Sequence, residues 1–359
     1  MTSQTRVVVG MSGGVDSAVA ALRLIEAGYD VHGLYMSNWD DEDSYCTNAQ
    51  DYQDARATAR ELGIVLHRVS FAHEYRQQVF GQFLAEYQRG RTPNPDVLCN
   101  REIKFDLCRR YAERLGAFWF ATGHYARLVQ GGSGPELLRG VDAAKDQSYF
   151  LCAVERAQFA RVLFPLGELS KGDVRAQARR AGLPVFNKPD STGICFIGER
   201  PFAEFLARYL PQSPGPIETA AGQVLGAHRG LPFYTLGQRS GLHIGGVRGG
   251  AGEPWYVARK DLARNALIVV AARDRASAAT STARTGAVNW LVEPPAATFP
   301  AALKLRYRQS DQAARVTPLA DGTAQLSFDT PQWAVTPGQT AAFYLHERCL
   351  GGGVIEETL

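Results

Sequence analysis

The hexapeptide Ser-Gly-Gly-Val-Asp-Ser at residues 12–17 constrains the fold of this chain more than any other stretch. It follows a strand-like apolar run, Arg6 to Met11, and leads into a helical run, Asp16 to Ala27. The two glycines permit a tight turn, while Ser12 and Ser17 add hydroxyl donors at the positive end of the helix. The sequence therefore predicts a strand, a turn that binds an anion such as pyrophosphate, and a helix.

This turn differs from the phosphate loop of kinases and GTPases, because no Gly-Lys-Ser or Gly-Lys-Thr follows it. A glycine-rich turn without a ligand is the alternative interpretation. Six matched residues between a strand and a helix are more specific than a loose glycine pattern, and they favour phosphate binding.

The first 122 residues alternate between strand-like and helical patterns. Strands are predicted at Val7 to Met11, Val31 to Met36, Val65 to Phe71 and Ala117 to Thr122, with helices near 17–27, 50–62, 73–88 and 101–115. This alternation predicts an α/β domain with a mostly parallel sheet, whose ligands bind at the carboxyl ends of the strands.

Beyond residue 165 the pattern changes, and we predict three domains: 1–165, 166–275 and 276–359. Ser170 and Asp173 form a capping-box-like start for a short basic helix. A Gly- and Pro-rich stretch with extended pieces such as Pro232 to Leu236 indicates a small β-rich middle domain. Short alternating strands then predict a compact β-barrel. The Ala, Ser and Thr cluster at 276–285 is interpreted as a linker.

Composition narrows the class of protein. Hydrophobic residues make up 45% and charged residues 21%, the net charge is +3, and no apolar run reaches the roughly 18 residues of a membrane span. The first strand leaves no room for a leader peptide, so we expect a cytoplasmic protein without a membrane partner. Six cysteines without Cys-x-x-Cys pairs favour free thiols over disulfides or a metal site, and Cys108, Cys152 and Cys349 are predicted packing residues.

The nonapeptide Thr-Pro-Asn-Pro-Asp-Val-Leu-Cys-Asn at 92–100 is a second candidate site. Its two prolines stiffen a loop between predicted helices. If a helical turn begins near Asp96, its carboxylate shares a face with the Cys99 thiol, and the two could act as acid or base and as nucleophile. The alternative is a proline-rich turn in which Asp96 caps the helix and Cys99 is buried.

Two further patterns allow more than one interpretation. Cys195 stands between Gly193 and Gly198, which suits a mobile thiol, although a lone cysteine in apolar surroundings is more often a core residue. Strand alternation over Ala301 to Gln309 would place three cations, Lys304, Arg306 and Arg308, on one face that binds a phosphate backbone or simply faces solvent. The helix with Lys171, Arg175, Arg179 and Arg180 could contact RNA, although a solvated face is the favoured interpretation.

Five motifs in order identify a family resemblance: SGGVDS, TPNPDVLCN, ATGHYA, KDQSYFL and STGICFIGER. Together they resemble the tRNA-specific 2-thiouridylases of the PP-loop ATP pyrophosphatase superfamily. The similarity runs through most of the chain and is weaker in the C-terminal part. It implies an N-terminal Rossmann-like PP-loop (adenine nucleotide alpha hydrolase-like) domain, a β-rich central domain and a C-terminal β-barrel.

The resemblance also implies roles for individual residues. The ATP site would comprise Gly10, Met11, Ser12, Gly13, Gly14, Val15, Asp16 and Ser17, with Met36 and Gly123 lining the adenosine pocket. Asn94, Pro95 and Asp96 would contact the target base, Cys99 would be the nucleophile, and Cys195 would carry sulfur as a persulfide. Implied tRNA contacts are His124, Lys145, Asp146, Gln147, Arg306, Tyr307 and Gln339.

The implied reaction is ATP-dependent 2-thiolation of the wobble uridine. With Mg²⁺ and ATP, uridine O2 would be adenylated with release of pyrophosphate, and persulfide sulfur would then displace AMP, passing through a disulfide between Cys99 and Cys195. The implied partners are tRNAs of the lysine, glutamate and glutamine type and a sulfur-carrier or cysteine desulfurase protein. Three alternatives stay open: a sulfur-independent PP-loop ligase acting on tRNA, an iron-sulfur enzyme using Asp96, Cys99 and Cys195, and an RNA-binding or nucleotide-sensing module.

Overall fold

The computed structural model describes residues 4–39, 48–132, 134–190, 202–244 and 253–358. Three sheets follow one another along these parts of the chain: a parallel sheet, a small four-stranded sheet and a closed barrel. The predicted fold class is confirmed, whereas the domain limits at 165 and 275 stay predictions. Cys195 and Cys46 lie outside the described residues.

The described part of the N-terminal unit has seven strands and is centred on a parallel sheet. The strands are β1 Arg6–Gly10, β2 Asp30–Ser37, β3 Val65–Ser70, β4 Trp119–Ala121, β5 Ala126–Gly131, β6 Gly134–Arg139 and β7 Val162–Leu163. Five of them pair in the order β3-β2-β1-β4-β7, all in parallel. Val7, Val8 and Val9 of β1 are fully buried at its centre. Because β1 has β2 on one side and β4 on the other, a crevice opens at its carboxyl end, where ligands bind in such folds.

Helices cover both faces of this sheet, close to the predicted positions. They are α1 Val15–Glu26, α2 Asn48–Glu61, α3 Ala72–Tyr75, α4 Gly81–Gln88, α5 Pro95–Leu98, α6 Arg109–Arg114 and α7 Ser148–Leu151. A π-helical stretch, Arg76–Phe80, joins α3 to α4, and a longer one, Cys99–Cys108, joins α5 to α6. Residues 95–114 are therefore one continuous helix with a widened middle, a feature that is frequent at functional sites.

The middle of the chain contributes two helices and a small sheet. These elements are α8 Lys171–Arg180, α9 Phe202–Ala207, β8 Gly215–Thr219, β9 Val224–His228, β10 Trp255–Asp261 and β11 Ala266–Ala271, with strand order β10-β11-β8-β9. The capping box predicted at Ser170 and Asp173 is confirmed. The extended piece predicted over Pro232 to Leu236 is wrong, because a 3₁₀ turn occupies Leu231–Phe233 and Pro232 suits its first turn.

The C-terminal unit is the predicted barrel. Its strands are β12 Ala279–Thr285, β13 Asn289–Trp290, β14 Phe299–Lys304, β15 Gln312–Pro318, β16 Ala324–Trp333, β17 Thr340–Leu345 and β18 Arg348–Thr358. Six of them pair in the order β12-β16-β15-β14-β17-β18, and pairing of β12 with β18 closes the ring. Leu303, Val316, Leu326, Phe343 and Ile355 fill its interior.

Two predictions about this unit are wrong. Residues 276–285 are not a linker: a 3₁₀ turn ends at Ala278 and β12 follows, with Ala283 and Thr285 buried in the barrel. Small and β-branched residues suit a half-buried strand, so composition alone was misleading.

The prediction that three cations share one strand face is the second that is wrong. Strand β14 ends at Lys304, which is buried near Asp146, and Arg306 and Arg308 follow in a turn.

The hairpin of β5 and β6 extends from the parallel sheet onto the barrel, where Leu138 pairs with Arg348 of β18. The N-terminal and C-terminal units thus share backbone pairing. Among the described helices, none combines the length and the apolar character that crossing a bilayer requires.

Candidate active site

The phosphate loop (residues 12–17) is held by hydrogen bonds among its own residues. The Ser12 amide donates to Ser17 Oγ at 3.1 Å, Ser17 Oγ donates to the Gly14 carbonyl at 3.1 Å, and the Gly14 amide donates to Ser12 Oγ at 3.4 Å. Gly14 is the N-cap of α1 and supplies no side chain to cap the first N–H groups of the helix. These groups and the Ser12 hydroxyl form a donor set that suits a phosphate, while Ser17 fixes the shape of the turn.

Two glycines permit other chain segments to lie directly against this loop. Gly13 has φ +74°, and a Cβ there would lie 2.2 Å from the carbonyl oxygen of Asp51. A Cβ on Gly123 would lie 2.8 Å from the backbone of Asp16. The turn after β4 therefore packs on the start of α1 and brings Gly123 beside the loop, while its place in an adenosine pocket stays a prediction.

A cation cluster, not predicted as such from the sequence, surrounds the loop. Lys171 Nζ donates to both oxygens of Asp16 at 2.7 and 2.8 Å, and Lys188 Nζ donates to the Gly13 carbonyl at 3.1 Å. Lys188 also contacts the carboxylates of α2, and three cations converge on one acid, Asp190. The cluster comprises Lys145, Lys171, Arg175 and Lys188, and its acidic partners are Asp16, Asp51, Asp54 and Asp190.

Ion pairing within this cluster favours the charged forms of Asp190 and Lys188. Burial acts against ionisation of Asp190, but hydrogen bonds from Lys145 and Lys171 lower its pKa to about 2. Burial likewise opposes charge on Lys188, yet the carboxylates of Asp51 and Asp54 raise its pKa. The interpretation of Lys171 and Arg175 as merely solvated residues is wrong, because they form ion pairs with Asp16 and Asp190. Asp16 lies 155 positions from Lys171, so no local sequence pattern could have indicated that pair.

The proline segment (residues 90–95) leads into the helix that carries Asp96 and Cys99. Asn94 Oδ1 accepts hydrogen bonds from the amides of Asp96 at 3.2 Å and Val97 at 3.5 Å, so Asn94 is the N-cap. The alternative in which Asp96 caps the helix is therefore wrong. Asp96 and Cys99 stand three residues apart within helical turns and share a face, as the first interpretation required, and Cys99 is buried, as the second expected.

Asp96 is partly buried, and burial raises the pKa of its carboxyl while the charge of Lys104 lowers it. Lys104 was not singled out from the sequence. Its position eight residues after Asp96, about two helical turns, could have indicated that the two side chains lie on the same face of one helix. Burial and then Lys104 lower the pKa of His124 well below its usual value, so its imidazole is neutral at neutral pH. His124 Nδ1 lies 2.7 Å from Thr122 Oγ1.

The same helix reaches the predicted adenosine pocket. Cys108 Sγ donates to Sδ of Met36 at 3.2 Å, near the carboxyl end of β2. Asn100, directly after Cys99, has a buried Oδ1 that finds no hydrogen-bond partner among the described residues. Residues 95–114 therefore connect the Asp96 and Cys99 face to Met36 near the carboxyl end of β2.

The implied tRNA contacts near β5 are mostly buried. His124 is 8% exposed and Asp146 is 3% exposed, and Asp146 accepts hydrogen bonds from the Gly140 amide and from Ser148. Gln147 Oε1 accepts from the Tyr125 amide at 3.0 Å. Lys145 is more exposed, so it is the member of this group placed to reach a large partner. Direct tRNA contact by all four stays a prediction.

The implied contacts in the barrel lie where the three units meet. Arg306 Nη2 donates to the carbonyls of Leu236 and Ala334 and to Thr336 Oγ1, at 2.9, 3.1 and 2.7 Å, and burial lowers its pKa. The ring of Tyr307 packs on Phe150 with 4.4 Å between centroids. Gln339 Nε2 donates hydrogen bonds to the carbonyls of Thr92 and Pro93 in the proline segment. Their role as tRNA contacts stays a prediction.

Cys108, Cys152 and Cys349 are buried free thiols, and Cys99 is buried as well. Burial raises the pKa of Cys108 and of Cys349 to about 12, which suits packing residues. Since Cys195 is outside the described ranges, its pairing with Cys99 and any cluster involving it stay predictions. Within the described parts of the chain, no three side chains are grouped as metal ligands.

Comparison with known proteins gives matches over nearly the whole chain. Family models match as a tRNA methyl transferase HUP domain over residues 5–199, a tRNA methyl transferase PRC-barrel domain over 203–271 and an aminomethyltransferase beta-barrel domain over 280–355. The tRNA-specific 2-thiouridylase MnmA of Chromohalobacter salexigens is 54% identical, covering 99% of this chain and 94% of that protein. The protein of the same name from Cupriavidus metallidurans is also 54% identical, covering 99% and 100%.

Solved structures resemble the chain more distantly. The U34-tRNA thiolase NcsA of Methanococcus maripaludis, with its [4Fe-4S] cluster, is 19% identical, with a TM-score of 0.36 over 53% of this chain and 60% of that one. A likeness of this size adds nothing to the family match.

Proposed function

This chain belongs to the tRNA-specific 2-thiouridylase family, and on that premise we propose that it is a tRNA uridine 2-sulfurtransferase that activates the wobble uridine with ATP. The observation that carries the proposal is the helix of residues 95–114. Asp96 and Cys99 lie at its start, and Cys108 contacts Met36 farther along it. One rigid element thereby supports a base-binding end and a nucleotide-binding end of the same crevice.

The phosphate loop fits the triphosphate of ATP. Its donor set is the Ser12 hydroxyl and the uncapped N–H groups at the start of α1. In our proposal Lys171 and Lys188 supply the positive charge that the loop itself lacks, exchanging their carboxylate partners for phosphate oxygens. Mg²⁺ enters as the counter-ion of ATP, and Asp16 is the loop carboxylate that would face it once Lys171 has turned to a phosphate.

The base half performs the activation step. A wobble uridine must leave its stack to be reached, and Asn94 and Pro95 at the helix start would contact it. Asp96 accepts the N3 proton while uridine O2 forms a bond to the α-phosphorus of ATP, and the bond to the β-phosphate oxygen breaks to release pyrophosphate. Because burial raises the pKa of Asp96, this carboxylate is a stronger base than an exposed aspartate.

Sulfur transfer completes the reaction. A sulfur-carrier or cysteine desulfurase protein loads sulfur on Cys195 as a persulfide, and Cys99 attacks the Cys195 sulfur. That attack forms a Cys99 to Cys195 disulfide and releases the terminal sulfur, reduced to sulfide by the electron pair of Cys99. The sulfide bonds to C2 of the uridine and expels AMP, and an external thiol later reduces the disulfide. We place this chemistry in the cytoplasm, where such thiols are abundant, with tRNAs of the lysine, glutamate and glutamine type as substrates.

The test is mass analysis of the tRNA after incubation with the protein, Mg-ATP and a persulfide donor. Exchange of one oxygen for sulfur at the wobble uridine is expected with wild type and with Cys349→Ala, a buried cysteine of the barrel, and not with Cys99→Ala. A modified tRNA that carries no added sulfur and forms equally well with wild type and Cys99→Ala would favour the sulfur-independent ligase. ATP binding without tRNA-dependent pyrophosphate release would favour the sensor, and stoichiometric iron in anaerobically purified protein would favour the cluster enzyme.

A further inference from the structure

Residues 90–94 of the proline segment form no regular secondary structure, because Pro93 and Pro95 lack N–H groups and disfavour a helical conformation in the residues before them. The Gly90 and Arg91 amides donate to the nearby carbonyls of Tyr87 and Glu86. Buried backbone groups need partners, and the carbonyls of Gly90, Thr92 and Pro93 find theirs in the two other units of the molecule. This arrangement places the approach to Asp96 under the control of distant residues.

The barrel holds one side of the segment. The Thr92 amide donates to the Pro337 carbonyl at 2.9 Å, and Gln339 Nε2 donates to the carbonyls of Thr92 at 2.7 Å and Pro93 at 3.4 Å. Gly338 has φ +94°, and a Cβ there would lie 2.8 Å from the Thr92 nitrogen. The barrel turn therefore fits closely on the segment, and both hydrogen bonds of the Gln339 amide nitrogen are made to it.

The central unit holds the other side. Lys260 Nζ donates to the Gly90 carbonyl at 3.0 Å, and burial lowers the pKa of this lysine to about 8. Gly90 has φ +75°, and the Leu262 side chain lies 2.6 Å from where its Cβ would be. A largely buried ammonium on a single carbonyl contributes little net stability, because its desolvation offsets the bond. Its effect is to fix the position of Gly90.

Two side chains tie these contacts together. Arg306 bridges the Leu236 carbonyl of the central unit and the Ala334 to Thr336 stretch that leads to Pro337. Tyr149 donates to the Thr340 carbonyl at 3.0 Å, and the side chain of Asn94, the N-cap of the Asp96 helix, acts on its hydroxyl by opposing the rise in pKa that burial causes. The contacts thus run from the central unit and the barrel to Asn94, the residue that starts the helix of residues 95–114.

We propose that Gln339 and Lys260 are positioning residues that set the geometry of Asn94 and Asp96 for uridine activation, acting through the proline segment. This inference rests on the proposed function and deepens it, because it gives Gln339 a role other than tRNA contact. A small displacement of a reacting group lowers the rate of the chemical step strongly while leaving substrate affinity unchanged.

The test compares Gln339→Leu and Lys260→Met with wild type in tRNA-dependent pyrophosphate release. We expect kcat to fall about tenfold with the KM for tRNA unchanged, and Lys260→Arg to recover most of the rate. Gln325→Leu, an exposed glutamine of the same barrel, is the matched control and should behave as wild type. If Gln339→Leu fails to fold, Gln339→Glu removes the amide donor while keeping the shape.

A rise in the KM for tRNA with kcat unchanged would show that Gln339 contacts tRNA directly and would overturn the proposal. Hydrogen exchange provides a readout that needs no turnover: the Thr92 amide should exchange at least tenfold faster in Gln339→Leu and in Lys260→Met. Unchanged protection there would equally overturn it. A wild-type protein that does not thiolate tRNA would refute the proposed function while leaving the exchange result intact.

Discussion

The phosphate loop and the proline segment are held in place by different sets of hydrogen bonds. Bonds among the loop's own residues join positions two to five apart, and Lys188 adds one to Gly13 from 175 positions away. The proline segment forms local bonds through the Gly90 and Arg91 amides, but its carbonyls depend on Lys260 and Gln339, 170 and 247 positions away. In our proposal the turn of the nucleotide half is therefore shaped mainly by its own residues, whereas the backbone of the base half depends on contacts from the two other units.

The largest expected effect tests whether the halves are separable. Cys99→Ala should lower tRNA thiolation by roughly a thousandfold or more, since it removes the proposed nucleophile, and leave tRNA-dependent pyrophosphate release within about threefold of wild type. Separate assays of thiolated tRNA and of pyrophosphate measure the two steps. Equal loss of both would mean that Cys99 also supports activation, and the division into halves would not hold.

Gly13→Ala should break the nucleotide half alone. A Cβ at φ +74° is strained and would meet the Asp51 carbonyl, so we expect ATP affinity to fall roughly 10- to 100-fold. Calorimetric titration with an ATP analogue measures this, and tRNA binding by filter retention should be unchanged. Gly28→Ala, at another left-handed glycine with nothing within 4 Å of its Cβ position, controls for backbone strain alone. Unaltered ATP affinity in Gly13→Ala would place the nucleotide elsewhere.

Lys171→Met tests whether the cation cluster serves the phosphate. Loss of one ammonium from the loop should weaken ATP binding about tenfold, with a smaller loss at high salt. Arg180→Met, at an exposed position of the same helix, is the matched control. Should Lys171→Met bind ATP as wild type does, the pair of Lys171 with Asp16 would be purely structural.

The smallest effect concerns pH. Asp96 acts as a base only when ionised, so activity should fall as pH drops through its raised pKa. The charge of Lys104 favours the ionised form, and Lys104→Met should therefore move the acidic limb of kcat/KM to higher pH. Pyrophosphate release measured across pH checks this, with exposed Arg110→Met as control. If the acidic limb of Lys104→Met stays at the pH of wild type, the charge of Lys104 does not influence the pKa of Asp96 during the reaction.

The same contrast explains what the sequence could predict. The phosphate loop was predicted because six adjacent residues determine it, and the helix face of Asp96 and Cys99 because Asn94 and Pro95 begin the helix nearby. Partners such as Lys188 with Asp51 or Lys260 with Gly90 could not be predicted, since no local pattern marks them. The alternation through Lys304 misled for the same reason: Asp146 of another unit draws this lysine inward.

The pairing of Leu138 with Arg348 has a consequence for how the protein is made. On the ribosome the parallel sheet and its phosphate loop are complete long before β17 and β18 have been translated, and domains generally fold in the order of synthesis. Until the last strands emerge, the hairpin of β5 and β6 lacks its pairing on β18, and Thr92 lacks Gln339. A nascent chain that stops before β17 would thus possess the phosphate loop without the contacts that hold the proline segment, so we expect the proposed acceptor site to be organised only after β17 and β18 have been made.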